Sequence, residues 1–277
     1  MTGVGGPTGE ADFLTTMVSA ARERAALARR ERPLSRPSPG ATSGRLRAAL
    51  ESARAEGVLG LIAEVKRASP SKGAIAPGLD AAARARDYAA AGADAVSVLT
   101  EPSRFGGSLA DLEAVAGATH LPALRKDFIV DPYQVWEAAK AGAAAVLLIA
   151  AALDDDGLRC LLGECAACGL DALVEVHDET DLRRAVDAGA TLLGVNNRDL
   201  RTLTVDLAAT EALAPLAPPA ALVVSESGIA GEADARRAAA AGAHAILVGE
   251  ALVRSPDGDL PRRVGALRGA PAQVTSR

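Results

Sequence analysis

The sequence predicts an α/β chain closed as a (β/α)8 barrel, and three observations carry that prediction. First, 277 residues fit one eight-stranded α/β barrel better than one ordinary small domain. Second, a helix ending in Ala-Gly-Ala or a near variant runs into an apolar strand four times: AAGADAVSV from Ala90, KAGAAAVLL from Lys140, DAGATLLGV from Asp187 and AAGAHAILV from Ala240. Third, Gly92, Gly142, Gly189 and Gly242 recur after 50, 47 and 53 residues, about twice one strand-plus-helix unit. Further apolar runs lie between the repeats, so four double units make eight strands, which alternation with helices makes parallel. An open doubly wound sheet is the alternative, and no G-x-G-x-x-G at a first turn supports it.

Taken in order, residues 1–10 are rich in Gly and Thr and predict a disordered start. From Asp12 the pattern turns helical, with Leu14, Met17, Val18 and Ala21 at i, i+3, i+4 and i+7. Residues 32–44 hold three prolines, three serines and two glycines, a linker before a second helix over 44–56. The expected organisation is therefore 1–44 as start, helix and linker, and 45–277 as one barrel domain. Strands are expected at 59–65, 94–99, 121–126, 144–150, 170–176, 191–196, 221–226 and 244–249. The four glycines suit the left-handed position just past a helix.

Composition narrows function. A net charge of −5 and pI near 5.4 argue against a nucleic-acid or anionic-membrane surface, and six aromatic residues leave little for base stacking. There is no transmembrane-length apolar run and no signal-peptide pattern, so a soluble, cytoplasmic protein is expected. Cys160, Cys165 and Cys168 include one C-x-x-C, but no second ligand pair stands nearby, and reduced structural thiols are the expectation.

In such a barrel the chemistry sits at the carboxyl ends of the strands. The first strand ends in Glu64 and Lys66, which face the same side, followed by a loop with Ser69, Pro70, Ser71, Lys72 and Gly73. The second ends in Thr100 and Glu101, then Phe105, Gly106, Gly107 and Ser108. From the third come Arg125, Lys126, Asp127 and Phe128; the fourth stays apolar around Leu147. The fifth gives Glu175, His177 and Asp178, and the sixth Asn196, Asn197, Arg198 and Asp199. The seventh ends in Ser225, Glu226, Ser227 and Gly228, the eighth in Gly249 and Glu250. Singly, each has a structural reading as a cap or an ion pair. Two lysines, a glutamate pair and an asparagine at one mouth point to an enzyme active site. Glycines after the last two strands point to a phosphate-carrying substrate.

IAEVKRASPSKG, SVLTEPSRFGGSL, LRKDFIVDPYQV, LVEVHDE, GVNNRDLRTL, VSESGI and ILVGEAL, in this order and spacing from about Asp12 to Pro256, resemble the indole-3-glycerol-phosphate synthase family of tryptophan biosynthesis. The resemblance implies a TIM barrel with an N-terminal helical extension over its mouth. It also implies a carboxy-lyase that converts 1-(2-carboxyphenylamino)-1-deoxyribulose 5-phosphate to indole-3-glycerol phosphate, carbon dioxide and water, with no metal and no organic cofactor. By the same resemblance Lys126 is the general acid of ring closure and Glu175 the partner that handles protons in dehydration. Lys66 meets the phosphate or the leaving hydroxyl, Glu64 orients it, and Asn196 hydrogen-bonds the developing group. Arg198, with Ser69 and Pro70, positions the anthranilate carboxylate, and Phe128 and Leu147 pack on the ring. Ser227, Gly228, Gly249 and Glu250 hold the phosphate, the last through its amide.

Two departures stand out: Arg104 precedes Phe105 where the family commonly has an aromatic pair, and Ala123 replaces a larger aliphatic. Partners are expected to be the phosphorylated small molecule alone, with a monomer or weak homo-oligomer. The competing readings are a non-catalytic phosphate-ligand-binding paralogue and phosphoribosylanthranilate isomerase; the latter calls for a cysteine at the end of the first strand, where Glu64 and Lys66 stand.

Overall fold

A computed structural model describes residues 13–39, 44–199, 204–255 and 258–269. The expected disordered start at 1–10 lies outside the described residues. Eight parallel strands close a barrel in sequential order: β1 (Gly60–Val65), β2 (Ala95–Leu99), β3 (Ala123–Lys126), β4 (Ala145–Ile149), β5 (Asp171–Val176), β6 (Leu192–Asn196), β7 (Leu222–Glu226) and β8 (Ala245–Val248). Closure is made by β1, which pairs with β2 (Ile62 opposite Ala95) and with β8 (Gly60 opposite Ala245). The ends fall within two residues of those expected from the apolar runs.

Each repeat ends its helix in the same way. Gly92, Gly142, Gly189 and Gly242 have φ of 91°, 82°, 94° and 105°. The next residue then donates its N–H to the carbonyl five positions back: Ala93 to Tyr88, Ala143 to Ala138, Ala190 to Ala185 and Ala243 to Ala238, at 2.9–3.0 Å. That is the helix stop in which only glycine takes the left-handed residue without a Cβ clash. The following Ala-rich strand then starts at a fixed offset, which is why the sequence period sets the barrel period.

Strand alternation sorts side chains into two cores. Leu61, Ala63, Val96, Val98, Val146, Leu148, Val174, Val176, Val223 and Ile246 face outward and bury against the surrounding helices. Ile62, Ala95, Leu124, Ala145, Leu147, Leu173, Leu192, Leu222, Val224, Ala245 and Leu247 fill the interior. Above this apolar plug the inward positions turn polar, so the plug is the floor of the mouth.

Two helices precede the barrel, and they seal opposite ends. α1 (Phe13–Glu31) lies over the mouth, where Met17 and Ala21 join the interior cluster with Phe128, Leu147 and Ile149. Its buried stripe continues to Ala25, with Leu14 and Val18 only half-buried. Arg24 of α1 reaches Glu101 Oε1 at 3.4 Å and Asp127 Oδ1 at 3.3 Å on the barrel rim. α2 (Arg45–Ala55) closes the opposite end, with Leu46 and Leu50 fully buried. Gly60 makes the close approach possible, since a Cβ there would lie 3.0 Å from Leu50 Cδ2. The Arg47 guanidinium donates to the carbonyls of Thr191 (3.0 Å) and Ala220 (3.2 Å), and the Arg47 backbone N–H donates to Asp171 Oδ2 at 3.0 Å.

Cys165 and Cys168 are buried on α6 (Asp155–Cys168), and neither they nor Cys160 forms a disulfide. Burial pushes the Cys165 thiol up to about 12, so this C-x-x-C pair packs as small apolar side chains. No helix among the described residues is long and apolar enough to cross a membrane.

Replacing Leu50 by Ala should lower unfolding free energy by about 2–5 kcal/mol, the usual range for truncating a buried leucine. Urea denaturation measures that loss, and ligand affinity at the far end of the barrel should stay unchanged.

Candidate active site

The inward-facing parity that makes the floor apolar also builds the site. Continuing along each strand, the positions after Ile62, Leu124, Leu173, Leu192 and Leu222 bring in Glu64, Lys126, Glu175, Asn196 and Glu226. All five line a single cavity of about 720 Å³ at the mouth. The same cavity is lined by Lys66, Ser69, Pro70, Phe128, Leu147, Arg198, Ser227, Gly228, Gly249 and Glu250. Every residue singled out from the sequence for catalysis, substrate contact or phosphate contact therefore faces one space.

At its centre is an ammonium between carboxylates. Lys126 Nζ lies 3.1 Å from Glu226 Oε2 and 3.4 Å from Glu175 Oε2. Both glutamates are about 1% exposed. Burial alone would push the lysine down, but Glu226, Glu175 and Glu64 together raise it well above the ordinary lysine range. Lys126 is a firmly protonated cation in the free site. The two carboxylates diverge. For both, burial is the largest influence and favours the neutral acid; at Glu175 it is outweighed by Lys126, His177 and Asn196, and the group is lowered. At Glu226 burial prevails over Lys126, with Glu175 and Glu64 adding to it, and the group is raised.

Glu64 and Lys66 meet as strand parity requires, Nζ to Oε1 at 3.0 Å, while Ser97 Oγ donates to Glu64 Oε2 at 3.3 Å. Two glycines make room for these carboxylates. A Cβ on Gly194 would fall 2.1 Å from Glu226 Oε1, and one on Gly249 would fall 2.7 Å from Glu64 Oε1.

The opposite rim is backbone. Ser227 is the one non-glycine with positive φ (63°) among the described residues, and Gly228 follows at 81°. This αL pair is held from behind by Asn197, whose amide donates to the carbonyls of Glu226 (2.9 Å) and Ser227 (3.0 Å) and accepts from Thr210. A side chain at 228 would meet Val205 Cγ1 at 2.8 Å. Successive αL and turn residues of this kind present N–H groups to an anion. The Glu250 side chain is also engaged: its Oε1 lies 3.2 Å from both Lys72 Nζ, on the loop after β1, and Arg254 Nε.

The apolar wall is made by Leu147 and Ile149 of β4 with Phe128, against which Phe13 of α1 packs edge-on at 6.2 Å. Phe105 lines the cavity and Arg104 is not among its lining residues, so the arginine supplies no second stacking surface. Arg125 and Asp127, named at the strand ends, serve structure. Arg125 donates to the Gln134 carbonyl at 2.7 Å and pairs with Asp127 at 3.2 Å, while Thr100 Oγ1 donates to Asp127 Oδ2 at 2.7 Å.

Sequence reasoning gave Glu226 no chemical role, although it shares the parity of Leu222 and Val224; a carboxylate on the inward face of a buried strand was the available signal. His177 was likewise named without a role. Its Nε2 lies 3.3 Å from Glu175 Oε1 and its Nδ1 3.7 Å from Asp181 Oδ2. The contact to Glu175 has the two-residue spacing that also joins Lys66 to Glu64, while Asp181 comes from the first turn of α7 (Glu179–Asp187).

The model of the family described as indole-3-glycerol phosphate synthase matches residues 15–263. Among curated relatives so named, that of Nocardioides sp. is 58% identical over 207 residues, 74% of this chain and 80% of the relative. That of Rhodococcus opacus is 50% identical over 245 residues, 88% of this chain and 90% of the relative. Among solved structures, a tryptophan synthase from M. tuberculosis superposes with TM-score 0.62 at 19% identity, over 83% of this chain and 100% of that one. A 3-hexulose-6-phosphate synthase from Salmonella typhimurium gives TM-score 0.62 at 16% identity, over 76% and 98%; at such identity these two speak to the barrel alone. With matching residues running through nearly all of the barrel and its covering helix, the chain belongs to the indole-3-glycerol phosphate synthase family.

Proposed function

We propose that the chain is a carboxy-lyase that closes the ring of 1-(2-carboxyphenylamino)-1-deoxyribulose 5-phosphate and releases carbon dioxide and water to give indole-3-glycerol phosphate. The observation that carries the reading is the Lys126 ammonium set between two buried carboxylates, at the floor of a cavity with a backbone anion rim on one side and an apolar wall on another.

The substrate has three parts, and the cavity has a place for each. Its phosphate goes to the rim of Ser227, Gly228, Gly249 and Glu250, reached by Lys66; its aromatic ring goes against Phe128 and Leu147. Arg198, with Ser69 and Pro70, holds the carboxylate until it leaves, a planar group that suits a guanidinium fork. The ketone is then left near the centre, facing Lys126. As the ring carbon attacks the ketone carbon, Lys126 gives its proton to the forming alkoxide. Loss of carbon dioxide restores the aromatic electron count; the hydroxyl then departs as water with a proton from Lys66, while Glu175 takes a proton from the adjacent ring CH2, so that the product keeps its N–H. Asn196 hydrogen-bonds the developing hydroxyl, and Glu64 keeps Lys66 aimed.

We read the barrel from residue 45 onward as one catalytic domain covered by the helix before it. The working form is a monomer or weak homo-oligomer in the cytoplasm, acting on a free small molecule.

Lys126→Met should lower kcat by roughly 10²–10⁴-fold, the usual contribution of a placed general acid, while affinity for a phosphate-bearing product analogue holds. Fluorescence of the product reports the first and a binding titration the second; near-normal turnover would remove Lys126 from the role of acid. Gly194→Ala should displace the Glu226 carboxylate by about an ångström and cost on the order of 10²-fold in kcat, with the circular-dichroism spectrum unchanged.

A further inference from the structure

The two glutamates on Lys126 are alike in burial and in their distance from the ammonium, and neither Oε1 has a well-formed hydrogen bond, yet among the described residues only Glu175 has a second basic group at ion-pair distance. Glu175 has Lys126 on Oε2 and the His177 imidazole 3.3 Å from Oε1, whereas Glu226 pairs with Lys126 alone. We propose that His177 is a positioning residue that assigns the roles of this pair, fixing the negative charge on Glu175 as the working base and leaving the proton to Glu226. The inference rests on the assignment of Glu175 as base given above.

The imidazole sits between two acids. Nε2 is at ion-pair distance from Glu175, off the line of a well-formed hydrogen bond, and Nδ1 faces Asp181 of α7. Asp181 is itself fixed, accepting from the His177 backbone N–H at 3.4 Å and pairing with Arg184 at 3.4 Å. A second cavity lies behind His177, sharing Asn196 with the first. Its other charged groups are Asp178 and Arg184 near α7 and Asp199 and Asp206 from the loop after β6. α1 and the end of β4 contribute only Leu14, Thr15, Val18, Ala151 and Ala152. The surroundings of the imidazole are therefore mainly acidic. Burial alone would push it down, but Asp181 and Glu175 push it up to about 10, so it is a cation throughout the neutral range.

The charge arithmetic gives this cation its consequence. Two carboxylates beside one ammonium, out of water, do not both ionise readily, because each raises the other. With Lys126 shared, the choice falls to what else touches Glu175, the His177 imidazole and the Asn196 amide, and of these His177 alone brings charge. A neutral residue in its place narrows the difference between the two sites, so Glu175 spends part of its time protonated and unable to act as base.

The test is the pH dependence of kcat/KM for wild type, His177→Asn, Asp181→Asn and Glu175→Gln. In wild type, the depressed Glu175 keeps its carboxylate ionised down to acid pH, so the acid limb lies well below neutral. His177→Asn should move that limb upward by roughly one pH unit, the scale of losing one close cation. Asp181→Asn, which keeps the ring but removes its counter-ion, should move it in the same direction and less. Inorganic phosphate affinity should be unchanged in both, which separates charge assignment from general disruption. If His177→Asn does not fold, Asp181→Asn carries the test alone. Profiles that superimpose on wild type, or a drop in kcat equal at every pH, would overturn the role of His177. Glu175→Gln tests the underlying reading separately: it should be nearly inactive, and wild-type turnover there would unseat Glu175 whatever His177 does.

Discussion

Everything at the mouth depends on one lysine held between two almost fully buried acids. Lys126 Nζ contacts Glu226 at 3.1 Å and Glu175 at 3.4 Å. Burying such groups costs several kcal/mol per ion before pairing. A protein under pressure for stability alone would put leucines there. The arrangement makes sense as a store of poised charge, in which a firmly protonated lysine meets an oxygen whose basicity rises during reaction. Two carboxylates of opposite bias stand ready on its other sides.

The barrel is what makes that arrangement affordable in geometry. Closure leaves no sheet edge, so each strand offers one inward position per two residues at a fixed height. The apolar layers of Leu124, Leu173 and Leu222 set the height at which Lys126, Glu175 and Glu226 appear. Gly194 is a gap in this lattice, and the Glu226 carboxylate fills it. The helices add directional sealing: α2 stoppers the far end with Leu46 and Leu50, and α1 roofs the mouth through Met17, Ala21 and the Arg24 contacts to Glu101 and Asp127. Phosphate recognition uses backbone instead, at an αL pair that Asn197 props from behind.

Much of this was legible in the residues because the fold is periodic. The Ala-Gly-Ala stops recur, each glycine does take a left-handed φ, and strand ends follow within two residues. The Glu64–Lys66 pairing is also readable, since two residues along a strand is one full pleat. The Glu175–His177 contact has the same spacing and was equally within reach. What was not legible is the comparison across the barrel: that Lys126 is shared between Glu175 and Glu226, and that Glu226 has no counterpart to His177 among the described residues. The role of α2 as a stopper was equally hidden, because an amphipathic helix does not announce which end of a barrel it will close.

The central claim is that the pair around Lys126 holds one proton, on Glu226, while Glu175 is ionised. Infrared difference spectroscopy of the protonated-carboxyl stretch tests it directly, at a pH a little below the value of about 7 to which burial, with Glu175 and Glu64, raises Glu226, with Glu226→Gln as the assignment. A buried carboxylic acid band in wild type that is lost in Glu226→Gln is the predicted result. Absence of any such band in wild type, or its survival in Glu226→Gln, would contradict the account.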